Sequence, residues 1–480
     1  MLFNSYSFLV FFPIVVLIYY LIPKRVRWVW LLITSYYFYM GWNAKYALLL
    51  LASTAITYVS GLLLGQCKRK WVVAGSFILN LSILFFFKYF DFAVENFNRV
   101  MGHFGVQLIT PAFDLLLPVG ISFYIFQALS YTMDVYRGEI EPEKNFFKYA
   151  LFVSFFPQLV AGPIERSKNL LTQIRETHRF CYEKMVEGLL LMIWGYFLKL
   201  VLADRMAILV DHAYNSEILL DGKYMLLASV LFAFQIYCDF AGYSTIAIGA
   251  AKVLGFDLME NFNCPYFAQS VAEFWRRWHI SLSSWFRDYL YIPLGGNRKG
   301  KLRKYINVMI VFLTSGLWHG ANWTYVIWGG LNGLFQVVGE IFQPIRFLQK
   351  SKNLLLKVIR MGITFFLVDF TWIFFRSANL AQAKSVIGRI LHMNNPELLA
   401  NGGIWDLGLS KGNLVVLGIA LLVLFLADLL KYNGIVVRER LMQCVFPVRC
   451  VTIVVAVSVI LVFGIWGSGY ATTNFIYFQF

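Results

Sequence analysis

The chain has 480 residues, of which 59% are hydrophobic and only 14% are charged, and its mean hydropathy is +0.64. Because a soluble domain usually carries about 25% charged residues, this composition excludes an ordinary globular protein. The net charge of +16 comes from short basic segments between apolar runs. That pattern indicates cytosolic loops lying on membrane lipid, and it argues against a nucleic-acid partner.

Along the chain, twelve apolar runs approach or exceed the roughly 18 residues that a helix needs to cross a bilayer. They cover residues 5–22, 28–42, 46–64, 71–90, 117–135, 185–202, 224–250, 305–318, 322–343, 357–375, 413–430 and 450–468. The sequence therefore predicts an all-α, polytopic integral membrane protein with about 11–12 transmembrane helices. No internal repeat or linker is visible, so we expect a single membrane domain over residues 1–480.

The basic residues predict the orientation of these helices. With the N-terminus outside, most of the 42 Lys and Arg residues fall in cytosolic loops. Residues 148–163 do not fit the alternation, since they lie between two inside segments and end in a helix-interrupting Ala-Gly-Pro. A re-entrant segment fits them best. The first apolar run lacks a signal-peptide n-region, so Ser7–Tyr20 is expected to be a retained helix.

The stretch 272–304 combines aromatic and basic residues. Trp275, Trp278, Leu282 and Trp285 recur at helical spacing, which predicts an amphipathic helix at the cytosolic interface. We expect Gly295 to end the helical run. A basic patch follows, made of Arg298, Lys299, Lys301, Arg303 and Lys304. This patch can anchor the topology on anionic lipid, or it can be the landing site of a phosphate-rich donor such as acyl-coenzyme A.

The next apolar helix, Ile306–Leu317, leads to Trp318-His319-Gly320. At 1.5 Å per residue, His319 lies roughly 20 Å from the cytosolic side. An imidazole at that depth must face protein or a water-filled cavity, and it is a candidate functional residue. Its unperturbed pKa near 6.5 suits it to take a proton from an attacking hydroxyl. The alternative is a structural hydrogen-bond partner.

Other polar residues are weaker candidates. Asp239, Asp369 and Asp428 lie in predicted spans, where a carboxylate is costly unless it is paired. They can line a reaction chamber or pair with a structural Arg or Tyr, and we expect the second. Four further histidines fall in predicted loops and are expected to be solvated: His103, His178, His212 and His392. The six cysteines include no CxxC pair, so neither a disulfide framework nor a zinc site is indicated.

The segment Phe274–His279, followed by Leu317–Gly320, resembles the signature of the membrane-bound O-acyltransferases. The similarity is greatest to the bacterial branch that acts in alginate O-acetylation and teichoic-acid D-alanylation. Matching segments lie at 117–123, 157–163, 237–244, 261–266 and 285–289, and residues 475–480 favour the alginate type. The resemblance implies helices around a central tunnel, with His319 as the catalytic histidine and His279 as the second, upstream polar residue. Asn332 stands where some relatives carry His, so its role is open.

The resemblance implies an O-acetyltransferase of the bacterial inner membrane, the cytoplasmic membrane. It would take an acetyl group from a cytosolic donor, expected to be acetyl-coenzyme A, with no permanently bound cofactor and no metal. The acceptor would be a cell-surface or exported polysaccharide, reached through an extracytoplasmic partner protein with a serine-hydrolase-like domain. Two alternatives are D-alanyl transfer from a carrier protein to teichoic acid, and a transporter without covalent chemistry. Buried charges at Asp239, Asp369 and Glu340 suit the transporter.

Overall fold

The computed structural model describes residues 1–105, 118–160, 162–215, 221–342, 353–392 and 408–466. Over these residues the chain is helical and contains no β-strand. The chain folds into two compact units, Met1–Gly188 with Ala250–Met259 and Leu189–Gly249 with Glu260–Phe480. We describe each unit by itself, and the single membrane domain stays a prediction.

The first unit contains nine helices among its described residues. They are α1 (Tyr6–Leu21), α2 (Arg27–Met40), α3 (Tyr46–Gln66), α4 (Lys70–Leu84), α5 (Phe90–Gly102), α6 (Ile121–Arg137), α7 (Phe146–Ser154), α8 (Phe156–Leu159) and α9 (Ser167–Arg175). A π-helical turn, Phe85–Tyr89, joins α4 to α5. The next helix, α10 (Tyr182–Tyr196), begins in this unit and continues into the second.

The second unit holds most of the candidate site. Its described helices are α11 (Asp204–Asn215), α12 (Gly222–Val253), α13 (Val271–Arg277), α14 (Ile280–Phe286), α15 (Gly300–His319), α16 (Trp323–Ile341), α17 (Leu354–Arg376), α18 (Leu380–Leu391), α19 (Lys411–Tyr432), α20 (Val437–Gln443) and α21 (Phe446–Phe463). The last residues of α12 belong to the first unit. A π-helical stretch, Phe197–Ala203, links α10 to α11, and another, Arg287–Tyr291, follows α14.

Each of the twelve predicted apolar runs contains a helix in the structure. Within the described residues, seven helices are long and apolar enough to cross a membrane: Tyr46–Gln66, Lys70–Gly102, Tyr182–Asn215, Gly222–Val253, Leu354–Arg376, Lys411–Tyr432 and Phe446–Phe463. The other five predicted spans are helices that are shorter or more polar. The all-α polytopic membrane fold is therefore confirmed.

The predicted re-entrant segment forms two short helices buried in the first unit. The first, α7, ends at Ser154 because Phe155 adopts a non-helical backbone with φ −52° and ψ 109°. The chain resumes as α8, and the backbone N–H of Phe156 donates to Ser35 Oγ at 3.1 Å. The helix thus breaks earlier than the Ala-Gly-Pro sequence predicts. Whether it enters the membrane and returns stays a prediction.

Helices α15 and α16 form a hairpin whose backbones touch. A Cβ atom on Gly316 would lie 2.3 Å from the carbonyl oxygen of Tyr325, and one on Gly329 would lie 2.3 Å from that of Phe312. Small residues permit this approach, as is common between membrane helices. The hairpin turn carries His319 at the last position of α15.

Candidate active site

The segment 272–286 was predicted as one amphipathic helix at the interface, and that prediction was wrong. The structure breaks it into α13 and α14 at His279, whose φ of +43° is left-handed. The ring of Trp278 is buried, as are those of Trp285 and Phe286. Helical spacing marks an apolar face, but it does not distinguish a face on lipid from a face in the protein core. This segment belongs to the core of the second unit.

The break at His279 is held by the segment that precedes α13. The N–H of Ile280 donates to the carbonyl oxygen of Asn261 at 2.9 Å, and the N–H of Asn263 donates to that of Arg277, also at 2.9 Å. A left-handed backbone is unfavourable for a residue with a Cβ atom and persists where the surroundings fix it. These two backbone hydrogen bonds fix it here.

The side chain of Asn261 orients the imidazole of His279. Its Oδ1 accepts from the N–H and the hydroxyl of Ser281 at 3.2 and 2.9 Å, and it lies 3.1 Å from His279 Nδ1. Because a backbone N–H can only donate, the atom facing it must be the amide oxygen. His279 therefore carries its hydrogen on Nδ1 and its lone pair on Nε2. Burial lowers the pKa of His279 to about 3, so the ring is neutral near pH 7.

The imidazole of His319 lies in an aromatic enclosure. Its ring centroid is 5.0 Å from Trp318, 5.0 Å from Trp328 and 5.3 Å from Phe375, and all three contacts are edge-to-face. The residue is only 4% exposed. The sequence predicted a buried His319 at the end of an apolar helix, and the structure places it there.

Trp318 also connects the two predicted site histidines. Its ring centroid lies 6.1 Å from that of His279, and 5.0 Å from that of His319. A second contact to His279 comes from Phe240 on α12, at 4.6 Å. The structure therefore brings both histidines to one aromatic cluster, although they lie on different helices.

Further tryptophans complete the wall around this cluster. Trp328 stacks on Trp372 with centroids 5.7 Å apart, and Trp372 lies 5.1 Å from Trp278. Trp275 packs edge-to-face against Trp328 at 5.5 Å. Aromatic rings bury a large apolar surface in fixed orientations, so these contacts make the walls around His319 rigid.

Asn332 supports that wall. It is fully buried, its Nδ2 donates to the carbonyl oxygen of Trp328 at 2.8 Å, and its Oδ1 accepts from Trp275 Nε1 at 3.2 Å. Both ends of the amide thus hold a tryptophan of the enclosure. These bonds give Asn332 a structural place beside the site, the point that its sequence left open.

The carboxylates predicted to be paired do have partners. Asp369 accepts from Ser229 Oγ at 3.0 Å, and Asp428 accepts from the Tyr237 hydroxyl at 2.9 Å. Asp239 forms an ion pair with Lys199, whose ammonium lies 2.6 Å away. Sequence reasoning overlooked Lys199, although a lysine inside an apolar run is itself a signal of a buried ion pair.

Lys199 lies between two carboxylates. Its ammonium is 2.8 Å from Asp204 Oδ1, as well as 2.6 Å from Asp239 Oδ1, and all three side chains are buried. The lysine sits in the π-helical stretch after α10, and a Cβ atom on Gly242 would lie 3.1 Å from the Lys199 amide nitrogen. This ion cluster therefore joins α12 to the helix beside it.

The remaining predicted polar residues lie outside the cluster of rings. His103, His212 and His392 are exposed as expected, although His212 lies in α11 and not in a loop. His178 is half-buried, its Nε2 donates to the carbonyl oxygen of Gln173, and its ring packs on Phe256. In the basic patch, Lys304 forms an ion pair with Glu340, and the other four members are exposed: Arg298, Lys299, Lys301 and Arg303.

The histidines carry the chemistry that this site offers. Among the residues with described positions, no group of three or more His, Cys, Asp or Glu side chains is placed to hold a metal ion. What the cluster provides is a buried imidazole, a second imidazole of fixed tautomer, and rigid walls that exclude water. That arrangement suits proton transfer in an apolar enclosure.

Comparison with known proteins gives a consistent result. The sequence model of the membrane-bound O-acyltransferase family matches residues 139–380, which include both histidines. A probable alginate O-acetylase of Pseudomonas syringae pv. tomato is 40% identical over 89% of this chain and 81% of its own length. A peptidoglycan O-acetyltransferase of Helicobacter pylori is 37% identical, over 79% and 75%. A teichoic acid D-alanyltransferase of Bacillus subtilis is 25% identical, over 68% and 84%.

Proposed function

Since the chain belongs to the membrane-bound O-acyltransferase family, we propose that it passes an acetyl group from cytosolic acetyl-coenzyme A across the membrane for O-acetylation of a polysaccharide. That it is a multi-pass membrane acyltransferase follows from the family and from the apolar helices. The donor, the crossing of the membrane and the location in a bacterial inner membrane are parts of the proposal.

The observation that carries the proposal is the burial of His319 among aromatic rings at the end of α15. In this mechanism His319 takes the proton of the acceptor hydroxyl, whose oxygen attacks the carbonyl carbon of the acetyl thioester. The carbon–sulfur bond then breaks, and the imidazolium returns its proton to the coenzyme A sulfur. Such general-base assistance contributes typically about 10²–10⁴-fold, so positioning of the reactants must supply much of the rest.

His279 has a different part in this mechanism. Its neutral ring presents the Nε2 lone pair, because Nδ1 is bonded to Asn261. It shares the Trp318 contact with His319, so it orients the donor or assists His319 and is not a second independent base. The aromatic walls keep water away from the thioester, which limits hydrolysis of the donor.

The acceptor is proposed from the relatives. Those with 37–40% identity bear the names alginate O-acetylase and peptidoglycan O-acetyltransferase, and both names denote acetyl transfer to a glycan. We propose a cell-surface or exported polysaccharide, modified with the help of an extracytoplasmic partner protein with a serine-hydrolase-like domain. The exposed residues of the basic patch, Arg298, Lys299, Lys301 and Arg303, suit the phosphates of coenzyme A by charge.

The alternatives fit less well. D-alanyl transfer has support from the teichoic acid D-alanyltransferase, but that relative is only 25% identical. A transporter needs neither the buried histidine pair nor membership in an acyltransferase family. Its charged candidates are also accounted for, since Asp239 pairs with Lys199 and Glu340 with Lys304.

A glycan comparison tests the proposed reaction. Cells with and without the gene are grown together with a strain that expresses His319→Ala, and their surface glycans are analysed by mass spectrometry before and after mild alkali. We expect alkali-labile acetyl esters only where the intact protein is present. Esters of D-alanine in place of acetate would support the alternative, and unchanged glycans in all three strains would refute both transfer reactions.

A further inference from the structure

A cavity of about 690 Å³ lies within the second unit, beside the site but lined by other residues. Its volume is within the range of about 300–1,000 Å³ that is usual for ligand sites. Apolar side chains from α10, α12, α19 and α21 form most of its wall, among them Trp194, Ile248, Val423 and Val459. Of the seven apolar spans, α19 and α21 are the two least covered by protein, so this wall faces the lipid.

One end of the cavity is polar and carries both signs of charge. The acidic side chains there are Glu260, Asp428 and Glu439, and the basic ones are Lys431 and Arg438. Glu260 and Lys431 form an ion pair at 3.3 Å. A strongly anionic ligand would meet three carboxylates here, whereas a head group with one positive and one negative charge finds partners for both.

Asn261 supplies an independent sign of a ligand. It is 1% exposed and lines the cavity, and its Nδ2 has no hydrogen-bond partner among the residues that the structure describes. The amide cannot turn over, because Oδ1 is held by the Ser281 N–H and by His279 Nδ1. A buried donor without a partner is costly, so a ligand with an acceptor oxygen at this place would stabilise it.

The geometry points to a binding site for a zwitterionic membrane phospholipid. An acyl chain lies along the apolar wall, and an ester carbonyl oxygen of the lipid accepts from Asn261 Nδ2. The phosphate lies toward Lys431 and Arg438, and the ammonium toward Asp428 and Glu439. Since Asn261 also orients His279, the bound lipid steadies the active site. The lipid site is independent of which acyl donor the enzyme uses.

Native mass spectrometry tests this site on the full-length protein, purified in mild detergent and offered phosphatidylethanolamine or phosphatidylglycerol. We expect a retained phosphatidylethanolamine adduct, and about tenfold weaker retention of phosphatidylglycerol. Ala456→Trp, which fills the cavity from α21, should abolish the adduct, while Val455→Trp, exposed on the same helix, should keep it. If Ala456→Trp does not yield monodisperse protein, Ala427→Phe fills the same cavity from α19.

A head-group variant sharpens the test. Arg438→Gln should weaken retention of phosphatidylethanolamine, whereas Arg440→Gln, exposed on the same helix and not part of the cavity, should not. No adduct in the unmodified protein, equal retention of the two lipids, or displacement of the lipid by coenzyme A would overturn the proposal. The last result would assign the cavity to the donor.

Discussion

At the scale of single residues, the two histidines differ in how they are held. His319 is enclosed by rings, with Trp318, Trp328 and Phe375 around it. His279 is fixed by the carboxamide of Asn261 and by a left-handed backbone. The first arrangement leaves an imidazole in a dry enclosure, and the second sets a tautomer. We therefore expect the two residues to act as one unit with unequal parts.

A double-mutant comparison tests that unit. His319→Ala should reduce donor turnover by about 10²–10⁴-fold, with the amount of membrane-inserted protein nearly unchanged. His279→Ala should weaken donor binding or slow turnover, and the double variant should be no worse than His319→Ala, since groups that act together show non-additive losses. Donor affinity and single-turnover rate are measured for all three, with His392→Ala as an exposed control. Multiplication of the two losses would rule out coupling.

The role of Asn261 makes a prediction about pH. Asn261→Asp keeps an acceptor beside His279 Nδ1 but adds a negative charge, which favours the imidazolium and raises the pKa of His279 from its depressed value of about 3. Activity that needs neutral His279 is lost below that pKa, so the acidic limb of the pH–rate profile should move to higher pH. Asn263→Asp, at a nearby exposed position, should leave the limb in place. An equal shift in both variants would mean that Asn261 has no special role.

At the scale of helices, the α15–α16 hairpin depends on backbone contact. Gly329→Ala places a methyl group 2.3 Å from the Phe312 carbonyl oxygen, so the helices must separate at a cost of about 1–3 kcal/mol. Gly339→Ala on the same helix meets no atom within 4 Å and should be neutral or slightly stabilising. Thermal unfolding of the purified variants, followed by size exclusion, compares them. Equal midpoints for the two would show that the close approach contributes nothing.

The ion cluster makes a second prediction at this scale. Replacing Lys199 with Met removes the cation from both Asp204 and Asp239, and losing one partner of a buried ion pair costs about 3–5 kcal/mol. Asp239→Asn leaves the Lys199–Asp204 pair at 2.8 Å and should be milder. Folded yield and unfolding temperature are the measurements. If Asp239→Asn destabilises more than Lys199→Met, the cluster is not held together by the lysine.

At the scale of the whole molecule, hydropathy predicted the helices well, because each apolar run must satisfy its own backbone in a membrane. It did not predict the break at His279, which depends on hydrogen bonds from Asn261 and Asn263 that are distant in sequence. For the same reason the apolar face of 272–286 was placed at the interface. His319 could be predicted from depth and from the family signature, but the partner of Asp239 could not, since pairing requires the fold.

The direction of acetyl transfer is the central claim, and inverted membrane vesicles test it most directly. They are prepared from cells that make the protein, its polysaccharide and the partner, and acetyl-labelled acetyl-coenzyme A is added to the exposed cytosolic face. We predict alkali-labile label on lumenal polysaccharide, protected from an added esterase until detergent is present, and none with His319→Ala. Label that the esterase removes without detergent, or equal label with His319→Ala, would contradict the account.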